Sequence, residues 1–173
     1  DFLFKMLDSN SILLTPHWND IQPAMLEESL IHLFRNGLFN AGFVAATPKG
    51  LPALKWWAEA CHYKTEKQPD LGLYVDQKYL DIFLIEFPDT GILKHRGCNL
   101  ASWNMNSSKR SLKEGKLVIN GQYEPIFVHF TFESIFHIQN GNDPLLRPYL
   151  EEYQSILKKE GCNLPDQVKG QVS

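Results

Sequence analysis

Cysteine, long apolar runs and an excess of charge of either sign are all scarce in this sequence of 173 residues. Its three cysteines are odd in number and far apart, without a Cys-x-x-Cys pair, which excludes a disulfide framework and a zinc knuckle and favours a reducing, cytoplasmic location. No apolar run approaches the roughly 18 residues that cross a bilayer, so no transmembrane segment is expected. Seventeen Lys and Arg against twenty Asp and Glu are mixed along the chain, which argues against a nucleic-acid partner.

Apolar residues make up 43% of the chain and aromatic residues 12%, as in an ordinary globular domain. Short apolar runs alternate with amphipathic segments, so we expect one α/β domain over residues 1–162 and a polar tail over 163–173. The opening residues resemble a helix interior, and the sequence is expected to begin inside a larger protein. The patterns predict helices at 23–36, 51–62, 76–87 and 144–159, strands at 11–15, 43–46 and 92–95, and a hairpin of 116–119 with 123–130.

Asn40-Ala41-Gly42 stands between a predicted helix and a predicted strand. Gly42 allows close approach of a ligand to the backbone, and the Asn40 amide offers a donor and an acceptor to a polyhydroxyl compound. An ordinary turn is the alternative interpretation. His17 is a further candidate because it follows a predicted strand, and strand ends often carry ligand sites.

Asp76-Gln77 opens the predicted helix that stops before Pro88. Gln77 and Asp81 are four residues apart and therefore share one helix face. A carboxylate and an amide at a helix start suit the hydroxyl groups of a sugar. A simple N-cap role for Asp76 is the equally weighted alternative.

The stretch 97–114, rich in Asn and Ser, is predicted to be a long irregular loop of the kind that is functional or mobile. Within it, Trp103 is a candidate for stacking on a sugar ring beside Asn99. His129 is the single ionisable residue in the predicted strand segment 126–130, where a neutral imidazole suits a divalent metal ion or a phosphate. A satisfied core histidine is the alternative.

Taken in order, these segments form a pattern that none of them shows alone. Over about residues 11–131 it resembles bacterial nucleotide-diphospho-sugar transferases of the GT-A fold and, more distantly, the glycogenin-type glycosyltransferases. The elements that carry the resemblance are Leu14-Thr15-Pro16-His17, Gly37-Leu38-Phe39-Asn40-Ala41-Gly42-Phe43, Trp56-Trp57, Val75-Asp76-Gln77-Lys78-Tyr79-Leu80-Asp81, Gly97-Cys98-Asn99-Leu100-Ala101-Ser102-Trp103-Asn104, Val118-Ile119-Asn120-Gly121 and His129-Phe130.

The resemblance implies a partial GT-A fold, with a mixed sheet and flanking helices, that transfers a sugar from a nucleotide-diphospho-sugar to an acceptor hydroxyl. It implies catalytic roles for Asp76 and Gln77. His129 is implied as a ligand of Mn²⁺ or Mg²⁺, because the glycogenin-type relatives use the His of His-Phe in this way. The expected substrate-binding residues are His17, Asn40, Ala41, Gly42, Asn99 and Trp103.

Two features of those families are missing from this sequence. It contains no Asp-x-Asp motif, and Thr131-Phe132-Glu133-Ser134 stands where the glycogenin-type enzymes have Lys-Pro-Trp. The expectation is therefore the acceptor-side part of a GT-A domain, with the nucleotide-binding half elsewhere. A non-catalytic carbohydrate-binding domain or pseudoenzyme is the alternative. A glycoside hydrolase using Asp76 and Asp81 ranks last, because carboxylates five residues apart on one helix diverge.

Overall fold

The computed structural model describes residues 2–21 and 31–162. The chain divides into two compact units, Asp1–Lys94 and His95–Ser173, which we call unit 1 and unit 2. Helices and strands are mixed along the chain, which confirms the predicted α/β class. The expectation of a single domain over residues 1–162 stays a prediction, and the tail 163–173 lies outside the described residues.

Unit 1 is built on a mixed sheet with the strand order β2-β1-β5. Strand β1 runs antiparallel to β2 and parallel to β5, as the expectation of a mixed sheet with flanking helices requires. The described elements of unit 1 are α1 (Phe2–Leu7), β1 (Ile12–Pro16), α2 (Ile31–Asn36), β2 (Phe39–Ala46), α3 (Leu51–Tyr63), β3 (Lys67–Gln68), β4 (Leu73–Tyr74), α4 (Phe83–Glu86) and β5 (Thr90–Ile92).

The core of unit 1 forms where β1 meets α3 and α4. Strand β1 begins with the apolar residues Ile12, Leu13 and Leu14. All three are fully buried, so both faces of the strand are covered at this point. Helix α3 has proline in its first turn, as expected, and both of its tryptophan rings pack against Phe83. The buried core residues are Ile12, Leu14, Phe39, Ala53, Leu80 and Phe83.

The predictions for β1, α3 and the described end of α2 are confirmed, while residues 23–30 of the predicted second helix lie outside the described residues. Three other predictions in unit 1 are wrong in position. Strand β2 starts earlier than expected, so Asn40-Ala41-Gly42 belongs to the strand and not to a turn before it. The predicted helix 76–87 is a 3₁₀ helix, Lys78–Ile82, followed by the short α4. The predicted strand 92–95 lies at Thr90–Ile92.

Unit 2 contains one two-stranded sheet and two packed helices among its described residues. Its core consists of Leu100, Ile119, Ile135, Ile138, Leu146 and Leu150. Its elements are β6 (Arg110–Lys113), β7 (Lys116–Ile119), α5 (Phe132–Gln139) and α6 (Arg147–Lys159), with 3₁₀ helices at Ser102–Asn104 and Pro144–Leu146.

Helix α6 confirms the last predicted helix, but other predictions in unit 2 are wrong. The hairpin joins β6 to β7, whereas residues 123–130 pair only through isolated bridges at Tyr123 and Val128. The predicted irregular loop 97–114 has no strand or α-helix before Arg110, as expected, but it ends in β6 and buries Asn99, Ser102 and Asn104. Helix α5 was not expected; the Thr131 hydroxyl caps it by accepting the Ser134 N–H at 3.1 Å.

Within the two described stretches, 2–21 and 31–162, no helix has the length and apolar character that a membrane crossing needs.

Candidate functional site

A bulge interrupts the pairing of β1 with β2 at the residues that the sequence singles out. Leu14 pairs with Val44, but the next residue, Thr15, pairs with Asn40. The register therefore skips Ala41, Gly42 and Phe43 between these two pairs. Bulges redirect the side chains of a strand and occur often beside active sites.

Two side chains supply hydrogen bonds to the backbone of this bulge. The Gln77 Oε1 atom accepts the Ala41 N–H at 3.2 Å, and the Asn40 Oδ1 atom accepts the Gly42 N–H at 2.9 Å. The Asn40 Nδ2 atom donates to Gln77 Oε1 at 3.3 Å, and Gln77 Nε2 donates to the Asn36 carbonyl at 2.8 Å. Buried N–H groups outside a ladder need such partners, so the two amides stabilise the bulge.

His17 completes this polar cluster, which we call the bulge cluster and define as His17, Asn40 and Gln77. The His17 Nε2 atom lies 3.2 Å from Asn40 Nδ2, and Nδ1 lies 3.1 Å from the Gly37 carbonyl oxygen. An amide nitrogen donates and a carbonyl accepts, so this geometry selects the neutral tautomer with hydrogen on Nδ1. All three residues are at most 7% exposed.

Asp76 is the residue before Gln77 of the bulge cluster and lies in the turn that leads into the 3₁₀ helix Lys78–Ile82. Its side chain is half-buried, and the Trp57 indole donates to its backbone carbonyl at 2.8 Å. The preceding Val75 has φ of +45°, a strained conformation for a β-branched residue. The Asp76 carboxylate makes no hydrogen bond or ion pair with any other described residue. Burial, and then the charge of Asp76, raise the pKa of the Cys61 thiol.

Asp81, the second carboxylate of the glycoside hydrolase alternative, has structural partners. Its Oδ1 atom accepts the Leu38 N–H at 2.8 Å, and its Oδ2 atom lies 2.8 Å from Lys78 Nζ. Both oxygens therefore stabilise the local backbone, which leaves little support for a catalytic role.

A second polar cluster lies in unit 2 and contains three other expected site residues. His129 Nδ1 lies 3.1 Å from Asn99 Oδ1, and the Trp103 ring meets the imidazole edge-on at a centroid distance of 5.3 Å. Asn99 is fully buried and has φ of +60°. Burial lowers the pKa of His129, which keeps the imidazole neutral. We call Asn99, Trp103 and His129 the imidazole cluster.

A buried ion pair supports the imidazole cluster. Asn104 Nδ2 donates to the Asn99 carbonyl at 2.6 Å, and Asn104 Oδ1 accepts from Arg110 Nη2 at 3.2 Å. Arg110 Nε lies 3.2 Å from Asp143 Oδ2, with both side chains 5% exposed. Burial raises the pKa of Asp143 more than the neighbouring Arg110 lowers it. Arg110 also donates to the carbonyls of Ala101, Asn104 and Ser108.

Comparison with known proteins gives two relatives of unstated function. The chain is 30% identical to the uncharacterized protein YfnF of Bacillus subtilis (strain 168) over 129 residues, which are 73% of this chain and 41% of that protein. It is also 30% identical to the uncharacterized protein YfnD of the same strain over 133 residues, 75% of this chain and 40% of YfnD. The chain thus spans about two fifths of the length of these relatives. No family model and no solved structure matches it.

The structure brings the expected site residues together in two groups, one in each unit. Unit 1 unites His17, Asn40 and Gln77 around the bulge that contains Ala41 and Gly42, with Asp76 next to them in sequence. Unit 2 unites Asn99, Trp103 and His129. Gly42 is exposed, whereas the polar atoms of Asn40 and Gln77 face other protein groups.

The described residues do not fit the expected Mn²⁺ or Mg²⁺ site. They contain no group of three or more His, Cys, Asp or Glu side chains placed to hold a metal ion. The contacts of the His129 ring are an amide and an indole, whereas Mn²⁺ and Mg²⁺ are held mainly by oxygen ligands such as carboxylates. His129 alone would supply one nitrogen ligand.

Sequence analysis missed the Arg110–Asp143 pair and the strained Val75. Asp143 precedes Pro144, which indicates a turn, but no periodic pattern links it to a distant arginine. A valine with positive φ has no sequence signal, because Gly and Asn are the residues that usually mark this conformation.

Proposed function

We propose that this chain is the acceptor-side part of a GT-A-type glycosyltransferase, which transfers a sugar from a nucleotide-diphospho-sugar to an acceptor hydroxyl. The observation that carries the proposal is the Asp76 carboxylate. It is half-buried, it makes no hydrogen bond or ion pair with another described residue, and it follows the strained Val75. Backbone strain of this kind is concentrated at functional sites.

The bulge cluster supports the proposal by fixing the backbone on either side of this carboxylate. Gln77 adjoins Asp76 in sequence and is anchored to Ala41, Asn40 and Asn36. In this proposal Asn40, His17 and Gln77 position the site, and Asp76 and the exposed Gly42 meet the substrates. Thr15 pairs with Asn40, and its fully buried hydroxyl has no hydrogen-bond partner among the described residues. Most buried polar atoms in proteins are hydrogen-bonded, so this hydroxyl is an exception next to the proposed site.

The proposed chemical role of Asp76 is that of a general base. Its carboxylate accepts the proton of the acceptor hydroxyl while that oxygen bonds to the anomeric carbon and the bond from that carbon to the nucleoside diphosphate breaks. A positioned base of this kind contributes typically 10²- to 10⁴-fold to a rate. A divalent cation, when bound, would neutralise the leaving diphosphate, and the residues described here form no centre for it. The expected use of Mn²⁺ or Mg²⁺ and the cytoplasmic location remain parts of the proposal, whereas the role of His129 as the metal ligand does not, because the contacts of its ring are an amide and an indole.

A non-catalytic carbohydrate-binding domain is the second candidate, and the hydrogen bonding of the bulge cluster favours it. The polar atoms of Asn40 and Gln77 hydrogen-bond to each other and to the backbone, as in a structural network. A binding domain would need Asp76 only as a hydrogen-bond acceptor, so it predicts sugar binding without turnover.

The test is Asp76→Asn in the full native polypeptide that contains this chain. Release of the nucleoside diphosphate is measured from a panel of nucleotide-sugars with Mn²⁺ present. We expect turnover to fall at least 100-fold, because asparagine keeps the shape but accepts no proton. The free energy of unfolding should stay within about 0.5 kcal/mol of the wild-type value, because the Asp76 carboxylate makes no hydrogen bond or ion pair with another described residue.

Asp70→Asn is the matched control, since Asp70 is exposed at the 3₁₀ helix Pro69–Leu71 of the same unit. It should change neither turnover nor stability. An Asp76→Asn protein with full turnover would overturn the catalytic role. Equal losses of stability and turnover would assign Asp76 to the structure of the turn.

A further inference from the structure

The His129 imidazole offers a ring nitrogen that the proposed reaction does not use. Its Nδ1 atom lies 3.1 Å from Asn99 Oδ1, and an amide oxygen can only accept, so Nδ1 carries the hydrogen and Nε2 carries a lone pair. No described residue hydrogen-bonds to Nε2, and the ring is half-buried. Among residues 2–21 and 31–162, Nε2 is therefore a hydrogen-bond acceptor without a donor.

The ring is held in this orientation from several sides. The His129 N–H donates to the Leu100 carbonyl at 2.8 Å, and the Trp103 ring packs against the imidazole at an interplanar angle of 80°. The Asn99 side chain is fully buried, and its backbone is anchored because the Asn99 carbonyl accepts from Asn104 Nδ2 at 2.6 Å. A polar group that is held in this way can fix the orientation of a ligand.

We propose that His129 Nε2 accepts a hydrogen bond from a hydroxyl group of a saccharide, with Asn99 as the positioning residue that selects the tautomer. That the ligand is a saccharide rests on the proposed function. That it should be an uncharged hydrogen-bond donor follows from the contacts of the His129 ring. The surroundings of the ring are neutral amide and indole groups. A neutral acceptor in such surroundings binds a hydroxyl without bringing a charge into a half-buried position.

A divalent metal ion is the competing ligand for the same lone pair. The ordering of Nδ1 by an amide oxygen would suit a metal-bound histidine as well. The described residues contain no group of three or more His, Cys, Asp or Glu side chains that would complete such a centre, and oxygen ligands are what Mn²⁺ and Mg²⁺ require. The geometry therefore favours the hydroxyl, and the metal ion becomes an arm of the test.

His95 is an internal control of opposite geometry in the same unit. Its Nδ1 atom accepts the Gly97 N–H at 3.2 Å, so its hydrogen must be on Nε2. Burial lowers the pKa of His95 as it does that of His129, so both rings are neutral at pH 7 and differ in tautomer.

The experiment uses the full chain labelled with ¹⁵N in its histidine rings. Without ligand, we expect His129 to show a protonated Nδ1 and an unprotonated Nε2, and His95 to show the reverse. A panel of the methyl glycosides of glucose, galactose, mannose and N-acetylglucosamine is then titrated. At least one glycoside should shift the His129 Nε2 signal saturably and leave the His95 signals in place.

Variants separate this site from the proposed catalytic one. His129→Phe should weaken binding of that glycoside about 2- to 10-fold, the range expected for one hydrogen bond, and Asn99→Ala should weaken it and mix the two tautomers. Asp70→Asn, at an exposed residue outside both clusters, should bind the glycoside as the wild type does. The His129 signal is read without a nucleotide-sugar, whereas the proposed reaction is read as turnover. Failure of the proposed reaction is thereby distinguished from failure of this site.

Three outcomes would overturn the inference. The first is a hydrogen on His129 Nε2 in the free chain, and the second is the absence of any saturable shift across the panel. The third is selective broadening of the His129 signals by Mn²⁺ at concentrations that leave His95 unaffected, which would make His129 a metal ligand. All three are read on the unmodified sequence, so they do not depend on the folding of a variant.

Discussion

Unit 1 and unit 2 both bury asparagine side chains. In each unit these side chains hydrogen-bond to the backbone, but the kind of backbone segment that they stabilise differs. In unit 1, Asn40 and Gln77 accept the N–H groups of Gly42 and Ala41, two residues of a bulge inside an otherwise regular strand. In unit 2, Asn99 and Asn104 stabilise a segment with little regular structure, and their network ends in the buried Arg110–Asp143 pair. The first network is neutral and the second contains opposite charges.

This difference determines what each network costs when it is broken. Removing a neutral partner leaves a buried N–H or carbonyl unsatisfied, at about 1 to 3 kcal/mol. Removing one member of a buried ion pair leaves a charge in the interior, which destabilises by about 3 to 5 kcal/mol. Unit 2 is therefore expected to be the more sensitive of the two to a single substitution.

The largest expected effect is that of Arg110→Ala. The substitution leaves the buried Asp143 carboxylate without its positive partner and removes the donors to the carbonyls of Ala101 and Asn104. The free energy of unfolding should therefore fall by about 3 to 5 kcal/mol. Urea unfolding measures the loss. Amide hydrogen exchange should rise in residues 97–109 before it rises in β1 and β2.

Two substitutions sharpen this result. Lys113→Ala alters an exposed residue of the same strand β6 and should change stability little. Arg110→Lys keeps the charge but loses the planar set of donors, so an intermediate loss would show that the guanidinium hydrogen bonds add to the ion pair. An Arg110→Ala protein of wild-type stability would mean that the pair contributes nothing.

Gln77→Ala tests the neutral network and should have a smaller effect. The Ala41 N–H and the Asn36 carbonyl lose their partner, so we expect a loss of about 1 to 3 kcal/mol and faster exchange at Ala41. Gln68→Ala, at an exposed glutamine of β3, is the control. If Gln77→Ala costs as much as Arg110→Ala, the contrast between the two units is wrong.

The elements predicted correctly are those whose signal is local and periodic. The apolar run of β1, the proline-led α3 and the amphipathic α6 each contain their own pattern, and the structure confirms them. The bulge was missed because its stabilisation is distant in sequence. Asn40-Ala41-Gly42 favours a turn locally, and the strand bulge at that position also depends on the Gln77 side chain, which is distant in sequence.

The segment 97–114 shows why polar composition alone predicts poorly. Asn and Ser are common in exposed loops, but here Asn99, Asn104 and Ser108 are fully buried. The Arg110 guanidinium accounts for this burial, since it donates to several carbonyls of the segment. For the candidate site, the sequence singled out residues that lie in both clusters, but it predicted neither their division between the two units nor their hydrogen-bond partners.

The smallest expected effect is a change in the pH dependence of stability. Burial raises the pKa of Asp143 above its ordinary value of 3.8, so the folded state binds the proton more readily than the unfolded state. Its contribution is therefore present below that ordinary value and is lost as pH rises through the raised pKa. Asp143→Asn should remove this slope from urea unfolding measured between about pH 3 and pH 7. Gln77→Ala should retain the slope, because its network contains no carboxylate. Equal slopes in the wild type and Asp143→Asn would show that Arg110 compensates for the burial of Asp143. The network of unit 2 would then show the same pH dependence as the neutral network of unit 1.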